Sequence, residues 1–239
     1  MPTVPADRPG RSRAEEGAAA AEPIQVAVID YGAGNLHSVL GAVERAARAT
    51  GAAATCRLAR EGGELDGCDA VIVPGVGSFA AAMDALDGTG LSRALRGAAT
   101  RGLPVLGICL GTQVLCEGGD EGGPRPGLGL VPGWVRALPA GVKNPHMGWN
   151  RVLPLRADPL LPRGAQPFYA YFAHGYTIQG APDEVVVAAC RLGRLTIPAV
   201  VRAGSVFATQ FHPERSGRWG DAIFAAFLRR VPRAVAAVG

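Results

Sequence analysis

The chain has 239 residues, of which 48% are hydrophobic and 18% charged, and its net charge is +4. This composition suits one sizeable hydrophobic core, and the excess arginines are scattered rather than gathered into a basic stripe, which argues against a nucleic-acid partner. The only lysine, Lys143, is followed by asparagine, so the phosphate-binding loop of nucleotide hydrolases, where serine or threonine follows the lysine, is excluded.

The first segment, residues 1–23, is rich in Ala, Pro, Arg and Glu and has no apolar core long enough for a signal peptide. We predict that it is a disordered extension and that residues 24–239 form a single domain. No apolar run approaches the roughly 18 residues of a membrane span. The five cysteines are odd in number and never spaced C-x-x-C, which disfavours disulfides and zinc. We therefore expect a cytoplasmic protein without a metal.

The first half of the chain alternates between two patterns. Short β-branched apolar runs predict strands buried on both faces, and apolar residues at helical spacing follow them. The predicted strands are residues 24–30, 69–74 and 104–108, and the predicted helices are residues 36–49, 78–86 with Ser78 as its cap, and 91–99. Such alternation predicts an α/β fold with a mostly parallel central sheet flanked by helices.

From Gly127 onward the chain consists of short β-rich pieces separated by Pro and Gly. The predicted strands are residues 128–138, 149–155, 168–178, 184–190, 199–202 and 206–211. They indicate a smaller mixed or antiparallel sheet region. A closing helix is predicted over residues 220–230, with apolar residues on one face.

A candidate nucleophile follows the predicted strand 104–108. Residues 107–111 read Gly-Ile-Cys-Leu-Gly, the pattern of a nucleophile elbow with sulfur in place of oxygen. Small glycines permit the sharp turn, which exposes Cys109 at the strand's carboxyl end and next to a helix N-terminus that favours the thiolate. The backbone N–H of Leu110 would face a developing oxyanion. Cys56, Cys68, Cys116 and Cys190 are interpreted as small buried hydrophobic residues.

A candidate base lies near the end of the chain. His212 and Glu214 leave an apolar strand with Pro213 between them, and in an extended segment both side chains project the same way. Pro213 favours that geometry, so Glu214 can orient one ring nitrogen while the other faces Cys109. A zinc deaminase is excluded because no P-C-x-x-C follows. His37 and His146 lie in loop-like contexts and are expected to make structural hydrogen bonds.

Two glycine loops follow strands. The loop that contains Gly75, Val76 and Gly77 offers backbone N–H groups that would complete the oxyanion hole with Leu110. The other loop, at residues 32–34, resembles the start of a dinucleotide fingerprint. His37 stands where the third glycine or alanine belongs, so a nicotinamide cofactor is rejected and no cofactor is expected.

Together these pieces resemble a known signature. Residues 107–113 (GICLGTQ) and 210–214 (QFHPE) are similar to the motifs of the class I, or triad, glutamine amidotransferases. Within that class, residues 30–35 (DYGAGN), 74–79 (PGVGSF) and above all 145–150 (PHMGWN) resemble the glutaminase subunits of imidazole glycerol phosphate synthase, a histidine-biosynthetic enzyme.

The resemblance spans residues 24–230 and implies that Cys109, His212 and Glu214 form a triad. This triad would convert L-glutamine to a γ-glutamyl thioester and release ammonia into a tunnel. In the family the tunnel leads into a β/α-barrel cyclase subunit. The two subunits form a heterodimer, and the cyclase makes imidazole glycerol phosphate and aminoimidazole carboxamide ribonucleotide.

The resemblance further implies that Gln113, together with His174, Gly175 and Tyr176, lines the glutamine site. Gly175 stands where the family usually has serine, which removes a side-chain contact to glutamine. Arg215 stands where the family usually has lysine, which keeps the charge near the partner surface but changes the hydrogen-bond geometry.

Two other readings compete with this one. The chain would be either a glutaminase of another pathway, such as pyridoxal phosphate synthesis, or a γ-glutamyl hydrolase; residues 145–150 argue against both. A catalytically dead scaffold is a different class of protein, and the intact Cys109, His212 and Glu214 argue against it.

Overall fold

The structure is a computed structural model that describes residues 22–232. Residues 1–21, most of the expected N-terminal extension, lie outside the described part of the chain. The extension and the bounds of the domain therefore stay predictions.

The described chain alternates strands and helices in its first half and is mostly strand thereafter, as the sequence indicated. The strands are β1 (Ile24–Ile29), β2 (Ala54–Ala59), β3 (Ala70–Val73), β4 (Val105–Ile108), β5 (Cys116–Gly119), β6 (Arg125–Pro126), β7 (Val131–Ala137), β8 (His146–Pro154), β9 (Phe168–His174), β10 (Tyr176–Gln179), β11 (Val186–Leu192), β12 (Leu195–Ala203) and β13 (Val206–Thr209). The helices are α1 (Leu36–Thr50), α2 (Phe79–Gly88), α3 (Leu91–Thr100), α4 (Leu110–Val114) and α5 (Gly217–Leu228). Short 3₁₀ turns occupy Gly62–Leu65 and Pro213–Arg215.

Nine strands form the main sheet in the order β2-β1-β3-β4-β13-β12-β11-β8-β9. The five strands from β2 to β13 are mutually parallel, and β12, β11, β8 and β9 continue the sheet in antiparallel fashion. A second sheet has the order β10-β7-β5-β6. The predicted α/β class with a large central sheet and a smaller second sheet is confirmed, but the main sheet is mixed rather than mostly parallel, since four of its eight strand pairings are parallel and four are antiparallel. The structure adds that most of the β-rich second half extends the main sheet.

The main sheet separates two hydrophobic layers. Along β1, Val26 and Val28 face a layer that contains α1 and α5, whereas Ala27 and Ile29 face a layer that contains α2, α3 and the second sheet. Burial on both faces explains why the central strands read as continuous apolar runs.

The parallel strands place the functional loops at one edge. The first glycine loop, at residues 32–34, follows the carboxyl end of β1, and the second glycine loop, at residues 75–77, follows that of β3. Cys109 follows the carboxyl end of β4, and the segment that contains His212 follows that of β13. Because these strands are parallel neighbours, their carboxyl ends meet at one edge of the sheet, where open α/β sheets bind ligands.

Candidate active site

Cys109 lies at the sharp turn between β4 and α4. Its φ of 56° is the only positive φ of a non-glycine residue in the stretch 22–232. The turn needs the flanking glycines, because a Cβ on Gly111 would lie 1.7 Å from the carbonyl oxygen of Val73, and one on Gly107 would lie 2.6 Å from the Leu115 side chain. The local sequence therefore produces a strained elbow, a feature that concentrates at functional sites.

The elbow is tied to β13. The backbone N–H of Cys109 donates to the carbonyl oxygen of Thr209 at 2.8 Å, and the hydroxyl of Thr112 donates to the same oxygen at 2.6 Å. The Cys109 sulfur lies 3.7 Å from the carbonyl oxygen of Ala173. These contacts fix the thiol at the sheet edge, where β13 ends.

The segment after β13 brings a histidine and a carboxylate together. The Nδ1 atom of His212 lies 2.8 Å from Oε1 of Glu214. The expected extended geometry is wrong beyond His212, since Pro213–Arg215 form a 3₁₀ turn. Ser216 stabilises that turn because its hydroxyl donates to the carbonyl oxygen of His212 at 2.6 Å and accepts the N–H of Tyr171 at 3.0 Å.

The electrostatics of this pair favour a charged imidazole. Burial by itself lowers the pKa of His212, but its hydrogen bonds with Cys109 and Glu214 outweigh burial and raise the pKa to about 10. The Glu214 side chain is 2% exposed, and its second oxygen, Oε2, has no hydrogen-bond partner within the described residues. His212 therefore carries a proton at neutral pH.

A cavity of about 290 Å³ opens over these groups. Ten of the eleven residues that the sequence proposed for the site line it, namely Val76, Gly77, Cys109, Leu110, Gln113, His174, Gly175, Tyr176, His212 and Glu214. The eleventh, Gly75, does not line it. The cavity brings together the candidate nucleophile, base and substrate-binding residues.

Four further residues line the cavity. Asn35 is the last residue of the motif at residues 30–35, and Arg215 directly follows the motif at residues 210–214, so both belong to segments that the sequence singled out without assigning them to the cavity. Glu121 and Ala173 carried no signal in the sequence. Glu121 accepts the N–H of Phe79 at 2.8 Å, so it caps α2 in place of the predicted Ser78, whose side chain makes no cap hydrogen bond.

The second glycine loop packs against a tyrosine. A Cβ on Gly75 would lie 1.9 Å from the hydroxyl oxygen of Tyr31. That hydroxyl is buried and has no hydrogen-bond partner within residues 22–232. Burial, and secondarily the nearby Cys109, raises the pKa of Tyr31. Gly77 adopts a φ of 106°, so the loop depends on glycine at both positions.

Gln113 and Tyr176 are joined at one wall of the cavity. The Nε2 atom of Gln113 donates to the carbonyl oxygen of Tyr176 at 3.0 Å and lies 3.4 Å from Oε1 of Gln210. Nδ1 of His174 donates to the same Tyr176 carbonyl at 2.8 Å. The Gln113 side chain is thus held by the protein itself.

At Gly175 the chain passes from the main sheet to the second sheet. The single strand predicted over residues 168–178 is therefore two strands, β9 and β10. A Cβ at Gly175 would lie 3.0 Å from Oδ1 of Asn144. The Asn144 side chain therefore lies beside the space that a serine side chain at position 175 would need.

The expected loop contexts of His37 and His146 are wrong. His37 lies on the exposed side of α1, and His146 begins β8 with 4% of its surface exposed. The neighbouring Pro145 and Gly148 suggested a loop, but β8 pairs with β9 through both His146 and Gly148.

The remaining cysteines are free thiols. Cys68, Cys116 and Cys190 are buried, as interpreted, whereas Cys56 is only partly buried. Between residues 22 and 232 there is no group of three or more His, Cys, Asp or Glu arranged to hold a metal ion. None of the helices in that stretch is both long and apolar enough to cross a membrane.

Comparison with known proteins points to one family. The family model described as "Glutamine amidotransferase class-I" matches residues 27–231. The HisH subunit of imidazole glycerol phosphate synthase from Symbiobacterium thermophilum is 45% identical over 207 residues, which cover 87% of this chain and 94% of that subunit. The subunit of the same name from Geobacillus kaustophilus is 43% identical, with 83% of this chain and 93% of the relative covered.

Solved structures share the fold. A glutamine amidotransferase crystal structure superposes with a TM-score of 0.65 at 24% identity, over 85% of this chain and 97% of the other. The structure of PurLQS from Thermotoga maritima gives a TM-score of 0.67 at 20% identity, over 88% of this chain and all of that chain. At these identities the likeness concerns the fold alone.

Proposed function

Because the chain belongs to the class I glutamine amidotransferase family and, within it, to the HisH subunits of imidazole glycerol phosphate synthase, we propose that it is the glutaminase subunit of that enzyme in histidine biosynthesis. It hydrolyses L-glutamine to glutamate and ammonia. The observation that carries the chemistry is the cavity that contains Cys109 on its elbow and His212 hydrogen-bonded to Glu214.

In the proposed reaction, the sulfur of Cys109 attacks the amide carbon of glutamine and forms a tetrahedral intermediate. The intermediate collapses as the carbon–nitrogen bond breaks, and His212 donates its proton to the leaving ammonia. The pKa of His212, raised to about 10, supports this role as proton donor. Water then attacks the γ-glutamyl thioester while His212 accepts its proton, and the carbon–sulfur bond breaks, which releases glutamate and restores the Cys109 thiolate beside a protonated His212. Glu214 orients the imidazole throughout.

The oxyanion of each intermediate needs hydrogen-bond donors. We assign this role to the backbone N–H of Leu110, the first residue of α4, and to the loop that contains Gly75, Val76 and Gly77. The first N–H groups of a helix have no partner inside the helix, and Leu110 lines the cavity next to Cys109. Val76 and Gly77 line the same cavity, and a Cβ on Gly75 would lie 3.0 Å from the Cβ atom of Leu110, so the loop lies beside the start of α4.

The substrate's own amino-acid group is assigned to the wall formed by Gln113 and the His174-Gly175-Tyr176 segment. Gly175 has no side chain to offer, so its contribution comes from the backbone. The contacts of Gln113 and His174 with the Tyr176 carbonyl keep this wall rigid.

We assign the binding surface for a partner subunit to an exposed apolar face next to the cavity. Met147 and Trp149 on β8 are 55% and 58% exposed, and Tyr169 on β9 is 60% exposed. The strand register places Trp149 opposite Tyr171 and Met147 opposite Ala173, so one face of this edge hairpin carries all of them. Ala173 also lines the cavity, so a protein docked on this face lies next to the cavity.

We propose that this partner is the β/α-barrel cyclase subunit, bound as a heterodimer, and that the ammonia passes into it directly. The exposed aromatic and methionine side chains are those that interfaces favour. The free thiols of the cysteines suit a reducing compartment, and we place the complex in the cytoplasm.

The test is synthesis of imidazole glycerol phosphate by the purified chain with a cyclase subunit, with either glutamine or ammonia as the nitrogen source. Cys109→Ala should abolish the glutamine-dependent reaction and leave the ammonia-dependent reaction intact. Loss of both reactions would contradict the channelled-subunit proposal. Ammonia release at full rate without any cyclase would instead favour a free γ-glutamyl hydrolase.

A further inference from the structure

A buried pair of histidines, of which His174 lines the cavity and His146 does not, takes no part in the proton transfers of the proposed reaction. His146 and His174 are 4% and 6% exposed and stand directly opposite each other on β8 and β9. Nδ1 of His146 lies 2.9 Å from Nε2 of His174. The pair continues at both ends: Nδ2 of Asn150 lies 3.0 Å from Nε2 of His146, and Nδ1 of His174 lies 2.8 Å from the Tyr176 carbonyl oxygen.

The contacts determine where every proton lies. A carbonyl oxygen only accepts, so Nδ1 of His174 carries its proton and donates to Tyr176. Burial lowers the pKa of His174 to about 3 and that of His146 to about 4, with smaller contributions from nearby cationic groups. Both rings are neutral at pH 7, so Nε2 of His174 is bare and accepts from Nδ1–H of His146.

The hydrogen bonds that link Asn150, His146, His174 and the Tyr176 carbonyl form a hydrogen-bond chain, and Asn150 is the donor at its start. Nε2 of His146 is bare and accepts one amide proton of Asn150, while the second amide proton is donated to the carbonyl oxygen of Arg191 at 2.9 Å. Oδ1 of Asn150 accepts the N–H of Arg151 at 2.7 Å. These partners leave the amide a single favourable orientation.

The hydrogen-bond chain ends at the Tyr176 carbonyl, on the wall of the cavity. The carbonyl oxygen of Tyr176 accepts from both His174 and Gln113, so its two lone pairs are engaged. Both ring nitrogens of His174 are also engaged. His174 therefore contacts a ligand without a free nitrogen to exchange protons, and its role in the cavity is geometric.

We propose that His146 and Asn150 are positioning residues for the glutamine cavity, which act through His174 and the Tyr176 carbonyl to hold Gln113 in place. This inference rests on the proposed function of the cavity. The same strand, β8, presents Met147 and Trp149 on its outer face, so the chain links the proposed docking face to the substrate wall.

The first experiment measures the protonation of the ring nitrogens in the hydrogen-bond chain and needs no enzyme assay. The full-length protein is labelled with ¹⁵N at histidine, and NMR distinguishes protonated from bare ring nitrogens. At pH 7 we expect Nδ1–H and bare Nε2 on both His146 and His174, assigned with His146→Gln and with His37→Gln as the exposed control. An Nε2–H tautomer on either buried ring overturns the proposal, whether or not the protein is a glutaminase.

The second experiment reverses the donor at one end. Asn150→Asp replaces the donating amide with a carboxylate, so Nε2 of His146 must gain a proton and NMR should show a doubly protonated His146 ring. Asn150→Leu removes the donor. In the complex with the cyclase, both variants should raise KM for glutamine up to about tenfold, the value of a lost hydrogen bond of about 1.4 kcal/mol, with a smaller change in kcat.

Both variants should melt at a lower temperature than the wild type, because a buried hydrogen bond is lost, and an unchanged ammonia-dependent rate of the complex shows that they are still folded and bound to the cyclase. An Asn150→Leu protein that keeps both the wild-type KM and the wild-type His174 spectrum would contradict the inference. If the wild-type protein had no glutaminase activity, only the proposed function would be refuted. The NMR spectra would still test the hydrogen-bond chain, because they do not depend on activity.

Discussion

Glu214 lies 2.8 Å from the imidazole of His212 through one oxygen, while its other oxygen is buried and has no partner among residues 22–232. A carboxylate in this position has little to stabilise its charge except the protonated ring. The two groups are therefore one electrostatic unit, in which the charge of each is stabilised by the other.

The first prediction follows from that unit. Glu214→Gln keeps the shape of the side chain but removes the charge, so the pKa of His212 should fall and the ring should lose its fixed orientation. We expect glutamine-dependent kcat/KM to fall roughly 10²–10⁴-fold, as when the orienting carboxylate of a triad is neutralised. The measurement is glutaminase kinetics in the complex. Ammonia-dependent synthesis is the internal control, and a loss of less than threefold would remove Glu214 from the mechanism.

A second prediction concerns pH and stability. The folded-state pKa of His146 is lowered by burial to about 4, against 6.5 for the exposed side chain. Between these values the unfolded chain binds a proton that the folded chain does not, so stability falls as pH falls from 6.5 towards 4. For His146 alone the free energy of unfolding should drop by about 2 kcal/mol between pH 7 and pH 5.

Denaturant unfolding at both pH values checks this. In His146→Gln the drop should shrink by about that amount, whereas His37→Gln, on the exposed side of α1, should retain the wild-type slope. Equal slopes in all three proteins would show that burial does not hold His146 neutral.

The third prediction tests the elbow. A Cβ at Gly111 would lie 1.7 Å from the Val73 carbonyl oxygen, which is backbone and cannot turn away. Gly111→Ala should therefore cost roughly 2 kcal/mol or more of stability, or prevent folding. The matched control is Gly97→Ala within α3, where the nearest atom is the mobile end of Arg101 at 3.3 Å. That change should stabilise the helix by roughly 0.5–1 kcal/mol, so thermal melting should move in opposite directions.

Some features of the site could be predicted from the sequence and others could not. Cys109 and the pair His212 and Glu214 follow from local patterns, since a glycine-flanked turn after a buried strand leaves few conformations. The β2 strand was missed because its residues alternate between half-buried and exposed at the sheet edge. Likewise, the break at Gly175 and the role of His146 depend on which strands pair, and no local pattern reports that.

The fourth prediction concerns the exposed face of β8. Trp149 is 58% exposed beside the cavity, and Leu155 is 60% exposed outside the cavity wall. Trp149→Ala should weaken binding of the cyclase subunit by 2 kcal/mol or more, about thirtyfold in Kd, if the ring is an interface anchor. Calorimetry of the two purified subunits measures this. Leu155→Ala is the matched control and should leave Kd unchanged, and equal effects of the two substitutions would place the interface elsewhere.

The last prediction concerns the loop that contains Gly75. The missing Cβ at Gly75 would lie 1.9 Å from the Tyr31 hydroxyl, which is buried and has no partner in the described chain. Gly75→Ala should displace the loop and remove an oxyanion donor, so kcat for glutamine in the complex should fall about 10²–10³-fold with KM less affected.

The colliding atom in that variant belongs to Tyr31, so a second substitution can relieve the collision. Tyr31→Phe alone should leave kcat within threefold of wild type, because the hydroxyl it deletes makes no hydrogen bond with any described residue. Combined with Gly75→Ala, it should restore at least part of kcat, since residues in contact are not additive. A double variant as slow as Gly75→Ala would mean that the loop is disturbed by something other than Tyr31, and the steric account of Gly75 would then be wrong.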